Sequence, residues 1–307
     1  MARRRKGLSI TGWLNFNKPL EMSSNQAVGK ARWLLKAKKA GHAGTLDPLA
    51  TGVLPIAFGE ATKVMGFLTD AEKAYRFSVA WGASTTTDDL EGEVTERSDV
   101  RPSKSAIEAV LPRFIGLIQQ RPPAYSAIKV NGQRAYALAR AGEEVVLNSR
   151  DVTIHDVSLR KYEPESAVFD VRCGKGTYVR SLARDLALAL GTVGHVTALE
   201  RRQVGPFHIE AAIGLEKLEA TGHKPSLLDP LETVLDDIPA LAVSDQDAAA
   251  IRFGRAISNA AAPLGEILLS HNGEALALAT HEETMIHPKK VFQRPDHDGD
   301  GPLKGES

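Results

Sequence analysis

One cysteine in 307 residues, Cys173, excludes an intrachain disulfide framework and any centre built from several thiolates. Long hydrophobic runs are missing too. No apolar stretch reaches the roughly 18–20 residues that a membrane-crossing helix requires. The basic opening Met1-Ala-Arg-Arg-Arg-Lys6 is followed by no apolar segment with a small-residue cleavage site, so no secretory signal is expected and a cytoplasmic protein is. Cofactor signatures are also lacking. The nine histidines show no H-E-x-x-H spacing. Gly174-Lys175 is followed by Gly176, and Phe169 stands where a P-loop needs its first glycine. Asp296, Asp298, Asp300 and Gly301 begin like a calcium loop, but Ser307 occupies the twelfth position where a glutamate is required. Neither a metal nor a cofactor is expected.

Net charge is absent as a sum, with 38 Lys or Arg against 38 Asp or Glu, but not along the chain. Residues 1–40 carry ten Lys or Arg and one acid, Glu21; residues 226–250 carry six acids and no Lys or Arg. A localised basic block suits a phosphate backbone, because affinity for nucleic acid follows local rather than net charge.

Hydrophobic patterning outlines an α+β chain. Ser23-Ser24 can cap a helix running to about Lys38, with Val28, Ala31, Leu34 and Leu35 on its apolar face. Gly41 to Pro55 fits neither periodic template. From Tyr75, apolar Phe77, Val79 and Trp81 alternate with Arg76, Ser78 and Ala80, which predicts a half-buried strand. A Ser105-x-x-Glu108 capping box predicts a helix over 105–114. Gln120 to Ala141 reads as a connection, 152–159 and 167–173 as strands, and Tyr178 to Leu190 as a helix. Strands and helices do not alternate as βαβ units, so a mixed, largely antiparallel central sheet flanked by helices is expected. Beyond the acidic stretch 225–240, Ile267–Leu269 and Ala275–Leu278 flank Asn272-Gly273, a hairpin signal within a small C-terminal β domain. The polar residues 296–307 are expected to be a disordered tail.

The densest chemical signal is Gly41-His42-Ala-Gly-Thr45-Leu-Asp47-Pro48-Leu-Ala-Thr-Gly52-Val-Leu-Pro55. Its glycines permit close backbone approach to a ligand, and Asp47-Pro48 sets a stiff turn around one carboxylate. By itself this reads first as an Asp-Pro loop bonded to its own backbone. With Asn17-Lys18-Pro19, Gly59-Glu-Ala-Thr-Lys63, Lys73-Ala-Tyr75-Arg76, Arg121-Pro-Pro-Ala-Tyr-Ser-Ala-Ile-Lys129, Gly174-Lys-Gly-Thr-Tyr178-Val-Arg180 and Leu199-Glu-Arg201-Arg202, however, the segment resembles the TruB family, the transfer RNA pseudouridine-55 synthases. The likeness runs in order from about residue 10 to 232.

That resemblance implies a pseudouridine synthase domain over 10–232 behind a basic tail at 1–9, with a thumb segment at about 121–150. It also implies a PUA-like RNA-binding domain over 235–295. The implied catalytic residues are Asp47 as the essential carboxylate, Arg180 as its partner and Tyr75 as the aromatic on which the uracil stacks. His42 would fill the gap left by the flipped base, and Leu199 would line the dry side of the pocket. Tyr178 and Lys129 are the remaining implied substrate contacts, with Lys18 as a further one that would touch phosphate or else position the first loop. The implied partner is the T-stem loop of transfer RNA, bound by a monomer that requires no protein partner. A non-catalytic RNA-binding protein, a uracil-removing hydrolase and a synthase with another RNA target remain alternatives at this stage.

Overall fold

A computed structural model of the chain describes residues 7–126, 128–130, 132–140, 147–221, 225–259 and 262–293. Ten strands make the larger of two main sheets: β1 (Gly12–Lys18), β2 (Ala40–His42), β3 (Ala50–Phe58), β4 (Lys73–Trp81), β5 (Gly116–Gln120), β6 (Arg150–Glu163), β7 (Ser166–Cys173), β8 (Gly194–Val204), β9 (Phe207–His208) and β10 (Ile213–Gly214). Their order in space is β10-β1-β3-β8-β4-β7-β6-β5, with β2 on β3 and β9 on β8. Among the described residues of this sheet only β1/β10 and β3/β8 run parallel. The sheet is therefore mixed and largely antiparallel, as the sequence pattern implied.

Two cores form against it. The helix Val179–Ala189 lays Leu182, Ala183 and Leu186 over Phe77, Val79 and Phe169. The helix Ser24–Leu34 seats Ala27 and Ala31 with Leu14, Phe16 and Ile56. Tyr75 and Leu199 touch both clusters, so the residues between the cores lie where the sheet is crossed.

β3 explains why the glycine-rich segment defied periodicity. It is buried almost throughout, and a strand covered on both faces reads as a continuous apolar run rather than an alternation. One edge pairs with β1 along its length; the other is shared, by β8 at Ala50–Gly52 and by β2 at Ile56–Phe58. Strand structure thus claims both ends of the segment expected as loop, leaving residues 43–49 as the turn. The helix predicted to reach Lys38 stops at Leu34, because the chain turns left-handed at Lys36 (φ 50°). The 105–114 helix is capped by Ser103, whose hydroxyl accepts the Ala106 N–H, not by Ser105, and its last turn tightens into a 3-10 segment at Leu111–Phe114. The connection after Gln120 contains a short hairpin, Lys129–Val130 with Gln133–Arg134, and a helix at Ala135–Arg140.

The second sheet comprises β11 (Ala240–Ala242), β12 (Ile257–Ser258), β13 (Gly265–His271), β14 (Glu274–Glu282) and β15 (Met285–Val291), in the order β11-β13-β14-β15-β12. Asn272 and Gly273 both have positive φ (53° and 79°), the geometry a two-residue hairpin turn favours. Leu268, Leu278 and Phe292 join Val204, Phe207 and Leu231 in one apolar cluster across the seam between the sheets. Lys63 Nζ donates to Val291 O and Lys290 Nζ to Lys63 O, each at 2.7 Å. The tails 1–6 and 294–307, including the calcium-like segment, lie outside the described residues.

Gly52 is the tightest point of the sheet. Its φ is +100°, and a Cβ there would fall 2.2 Å from Arg201 O. Gly52→Ala should therefore lower stability by on the order of 3 kcal/mol, combining backbone strain with displacement of β8. Urea denaturation reads this out, and an unchanged midpoint would show that the strand relaxes freely.

Candidate active site

Residues 43–49 project Asp47 from between β2 and β3, and the turn is fastened from three directions. The Ser24 hydroxyl accepts the Leu46 N–H at 2.8 Å and donates to Leu46 O at 3.0 Å. Lys18, with no exposed surface, donates through Nζ to Met22 O (2.6 Å), Pro19 O (2.9 Å) and Pro48 O (3.3 Å). From below, the buried Arg201 guanidinium donates to Val53 O (2.7 Å), Gly44 O (3.1 Å) and Thr45 O (3.4 Å). Val53 lies in the gap on the shared edge of β3 between its pairings with β8 and β2. A side chain therefore supplies the hydrogen bond that neither strand reaches to make.

Arg180 meets Asp47 from the first turn of its helix, with Nη2 2.9 Å from Oδ2. Its side chain is 6% exposed and that of Asp47 41%, so the carboxylate reaches the solvent-open side while the cation stays covered. The other end of the guanidinium, Nη1, lies 3.3 Å from buried Asp89 and donates to Thr87 O at 2.8 Å, while Nη2 also donates to Tyr125 O at 2.9 Å. Asp89 is itself held by the Thr87 hydroxyl and the Glu91 N–H.

An inner cavity of about 370 Å³ opens beside Asp47 and is lined by Tyr75, Tyr178, Arg180, Leu199 and Arg201 among others. Its size falls within the range of small-ligand pockets, about 300–1,000 Å³. On the other side of Asp47 lies an outer cleft of about 500 Å³, where His42 sits with Asn25 and Tyr136. Five of the eight expected site residues thus share the inner cavity, and His42 faces the outer cleft. Lys18 is in neither: it lies buried beneath the turn, with its amine on three main-chain carbonyls. Lys129 lies in the short hairpin, at backbone level only. Tyr178 is oriented by its N–H, which Gln120 Oε1 accepts at 2.8 Å, and by Arg150, whose guanidinium lies 5.2 Å from the ring centroid.

Buried positive charge dominates the electrostatics. Burial lowers Lys18 to about 8, with Asp47 opposing the shift and Arg201 adding to it. Burial, then the Arg201 charge, lowers His42, which favours an uncharged ring. Burial raises the Tyr75 hydroxyl against the pull of the adjacent Arg201, which favours the neutral phenol. Lys73, shifted down chiefly by burial, caps the preceding helix by donating to Leu68, Thr69 and Ala71 carbonyls at 3.0, 2.7 and 2.6 Å. Two contributors went unassigned in the sequence. Arg201 stood inside a quoted motif without a role; its register opposite Gly52 and Tyr75 supplies the reason, since the glycine leaves room for it. Asp89 sits in a polar run, Thr85 to Asp89, that offers no signal of burial. Among the described residues no group of three or more His, Cys, Asp or Glu could hold a metal ion.

Residues 32–179 match the family model for the TruB family pseudouridylate synthase N-terminal domain, and residues 180–236 that for the tRNA pseudouridylate synthase B C-terminal domain. The chain is 50% identical over 308 residues to the tRNA pseudouridine synthase B of Caulobacter sp. (strain K31), covering 95% of this chain and 99% of the relative. It is 49% identical over 300 residues to that of Dinoroseobacter shibae, at the same coverage. The fold is similar to a chain in the crystal structure of a Cbf5-Nop10-Gar1 complex, with TM-score 0.70, 27% identity, and coverage of 92% of this chain and 85% of the other.

Lys18 makes stability depend on alkaline pH. Its folded value, about 8, lies below the ordinary 10.5, so between the two the unfolded chain binds more protons and stability rises with pH. Relative to Lys18→Met, which cannot titrate, the wild type should gain up to about 3 kcal/mol between pH 8 and 10.5. Parallel denaturation curves for the two proteins across that window would contradict the buried-cation assignment.

Proposed function

Because the chain belongs to the TruB family of pseudouridylate synthases, we propose that the cavity beside Asp47 receives the flipped uridine of a transfer RNA T-loop, at position 55. The activity is pseudouridine formation in transfer RNA. The observation that carries the site reading is the Asp47–Arg180 contact at 2.9 Å, at the mouth of a cavity that also contains Tyr75 and Leu199.

The reaction breaks the bond from ribose C1′ to uracil N1, turns the base and joins C5 to C1′. An ionised Asp47 serves it either as nucleophile at C1′ or as base at C2′. Arg180, itself anchored on Asp89, holds that carboxylate in place. Tyr75 stacks on the uracil and Leu199 closes the apolar wall, which keeps the detached base while it turns. A neutral Tyr75 phenol takes part in the final loss of the C5 proton by relaying a proton rather than by accumulating as phenolate. A base inside a folded loop must be extruded before it is reached; uncharged His42 in the outer cleft suits insertion into the vacated stack. Tyr178 belongs to the substrate-facing wall, and Lys129 to a thumb that closes on the stem.

The domain over 235–295 acts in this reading as an RNA-binding adjunct to the catalytic domain over 10–232. In this reading the chain acts as a monomer that requires no protein partner. No helix among the described residues is long and apolar enough to cross a membrane; a cytoplasmic site of action fits the substrate. Exposed Arg32 and Lys36 on and after the first helix supply phosphate contacts, whereas Lys30 is engaged by Glu219 at 2.6 Å.

Asp47→Asn keeps the turn but removes the charge that both routes require. It should bind transfer RNA within about tenfold of wild type, roughly 1.4 kcal/mol, and form no pseudouridine. Tritium release from uracil C5 measures this, and sustained turnover by the pure variant would overturn the assignment. Tyr75→Phe preserves stacking, so near-normal RNA affinity with slowed product formation is expected. Wild-type turnover by that variant would confine Tyr75 to stacking.

A further inference from the structure

The inner cavity and the outer cleft are joined at a neck. Five residues line both: Thr45, Leu46, Asp47, Ser126 and Arg180. Ser126 is only 4% exposed, yet its hydroxyl has no hydrogen-bond partner among the described residues. Its backbone is fixed on both sides, the N–H donating to Ala124 O and the C=O accepting from the Tyr136 N–H, each at 3.0 Å. A serine hydroxyl on a fixed backbone has three staggered positions to choose from, and nothing among the described residues satisfies it. Buried polar groups are normally paired, and one left unpaired at a ligand-sized cavity calls for a reason. Three other buried polar atoms nearby also lack a partner among the described residues. Gln120 lines neither cavity and already uses its carboxamide oxygen on Tyr178, Arg150 lines the inner one alone, and His42, whose Nδ1 is the third, lines the outer one alone.

We propose that the Ser126 hydroxyl hydrogen-bonds the ribose 2′-hydroxyl of the flipped uridine, and so reads RNA against DNA at the target position. The assignment rests on the pseudouridine synthase reading above. In that reading the base enters the inner cavity beside Tyr75 while the strand stays in the outer cleft, so the sugar spans the neck, where Asp47 must reach C1′ or C2′. Within a chain the 3′ and 5′ oxygens are esterified. The 2′-hydroxyl is then the one sugar group that both donates and accepts, matching a serine hydroxyl, and it is the group by which a site can tell RNA from DNA.

The test measures equilibrium binding of two T-stem-loop RNAs, one with uridine and one with 2′-deoxyuridine at the target, to Asp47→Asn protein with and without Ser126→Ala. The parent should prefer the ribo RNA by about five- to tenfold, the scale of one hydrogen bond. Adding Ser126→Ala should abolish that preference by weakening the ribo complex five- to tenfold while leaving the deoxy complex unchanged. Unchanged deoxy binding also reports an intact fold. Equal weakening of both complexes would assign the hydroxyl to a phosphate or the base and overturn the proposal, as would no weakening of either. A wild-type chain that forms no pseudouridine in the same RNA would instead remove the reading on which the proposal rests, a result distinct from an active enzyme with equal losses.

Discussion

A guanidinium with no carboxylate in hydrogen-bonding contact holds the turn that carries Asp47. Arg201 sits where β3 has lost one strand neighbour and not yet gained the next, and spends its donors on the carbonyls of Val53, Gly44 and Thr45. A buried charge is tolerated only when its hydrogen bonds are made. Here the acceptors are backbone atoms of the turn whose geometry matters, so solvating the cation and shaping the turn are one arrangement. Tyr75, next to it on β4, has its hydroxyl against the same guanidinium. The carboxylate's turn and the aromatic's strand are thereby referenced to a single rigid point.

Arg180 works differently. It is shared between two carboxylates, one buried and one turned toward the cavity. Asp89 fixes the cation from behind, so its other edge is presented to Asp47 in a set orientation. Shielded on most sides, such a pair keeps its geometry better than a surface ion pair, where side-chain entropy and screening erode the contact. The pair is thus preorganised: the Asp47 carboxylate is held in one orientation at the cavity mouth, which is the arrangement the proposed chemistry requires.

The sequence made the skeleton legible where periodicity was strong. The alternation from Tyr75 to Trp81 became β4, the Asn272-Gly273 signal became the β13–β14 turn, and the absence of βαβ units became a mixed sheet. It failed where burial on both faces erases alternation, as in β3, and where one residue with positive φ ends a helix early, as Lys36 does. Motif reading picked out Asp47, Tyr75, Arg180 and Leu199, which the fold collects around one cavity from segments far apart in the chain. It did not find Asp89, because a polar residue in a polar run carries no mark of being buried, and it passed over Ser126, which stood inside a quoted motif without a role. For Lys18 the motif left loop positioning and phosphate contact both open, since nothing in Asn-Lys-Pro reveals that three carbonyls surround the amine.

Lys18, Lys63, Lys73, Lys290 and Arg201 have one thing in common: each anchors a turn, a helix end or the seam between the sheets by donating to main-chain carbonyls. No point mutation deletes a carbonyl. The acceptor half of every such contact is therefore beyond the reach of sequence drift, and the heritable fragility of these joints is concentrated in five codons. Neighbouring positions such as Met22, Thr45 and Val291 are free, as far as these bonds are concerned, to change their side chains without loosening the framework that aims the chemistry.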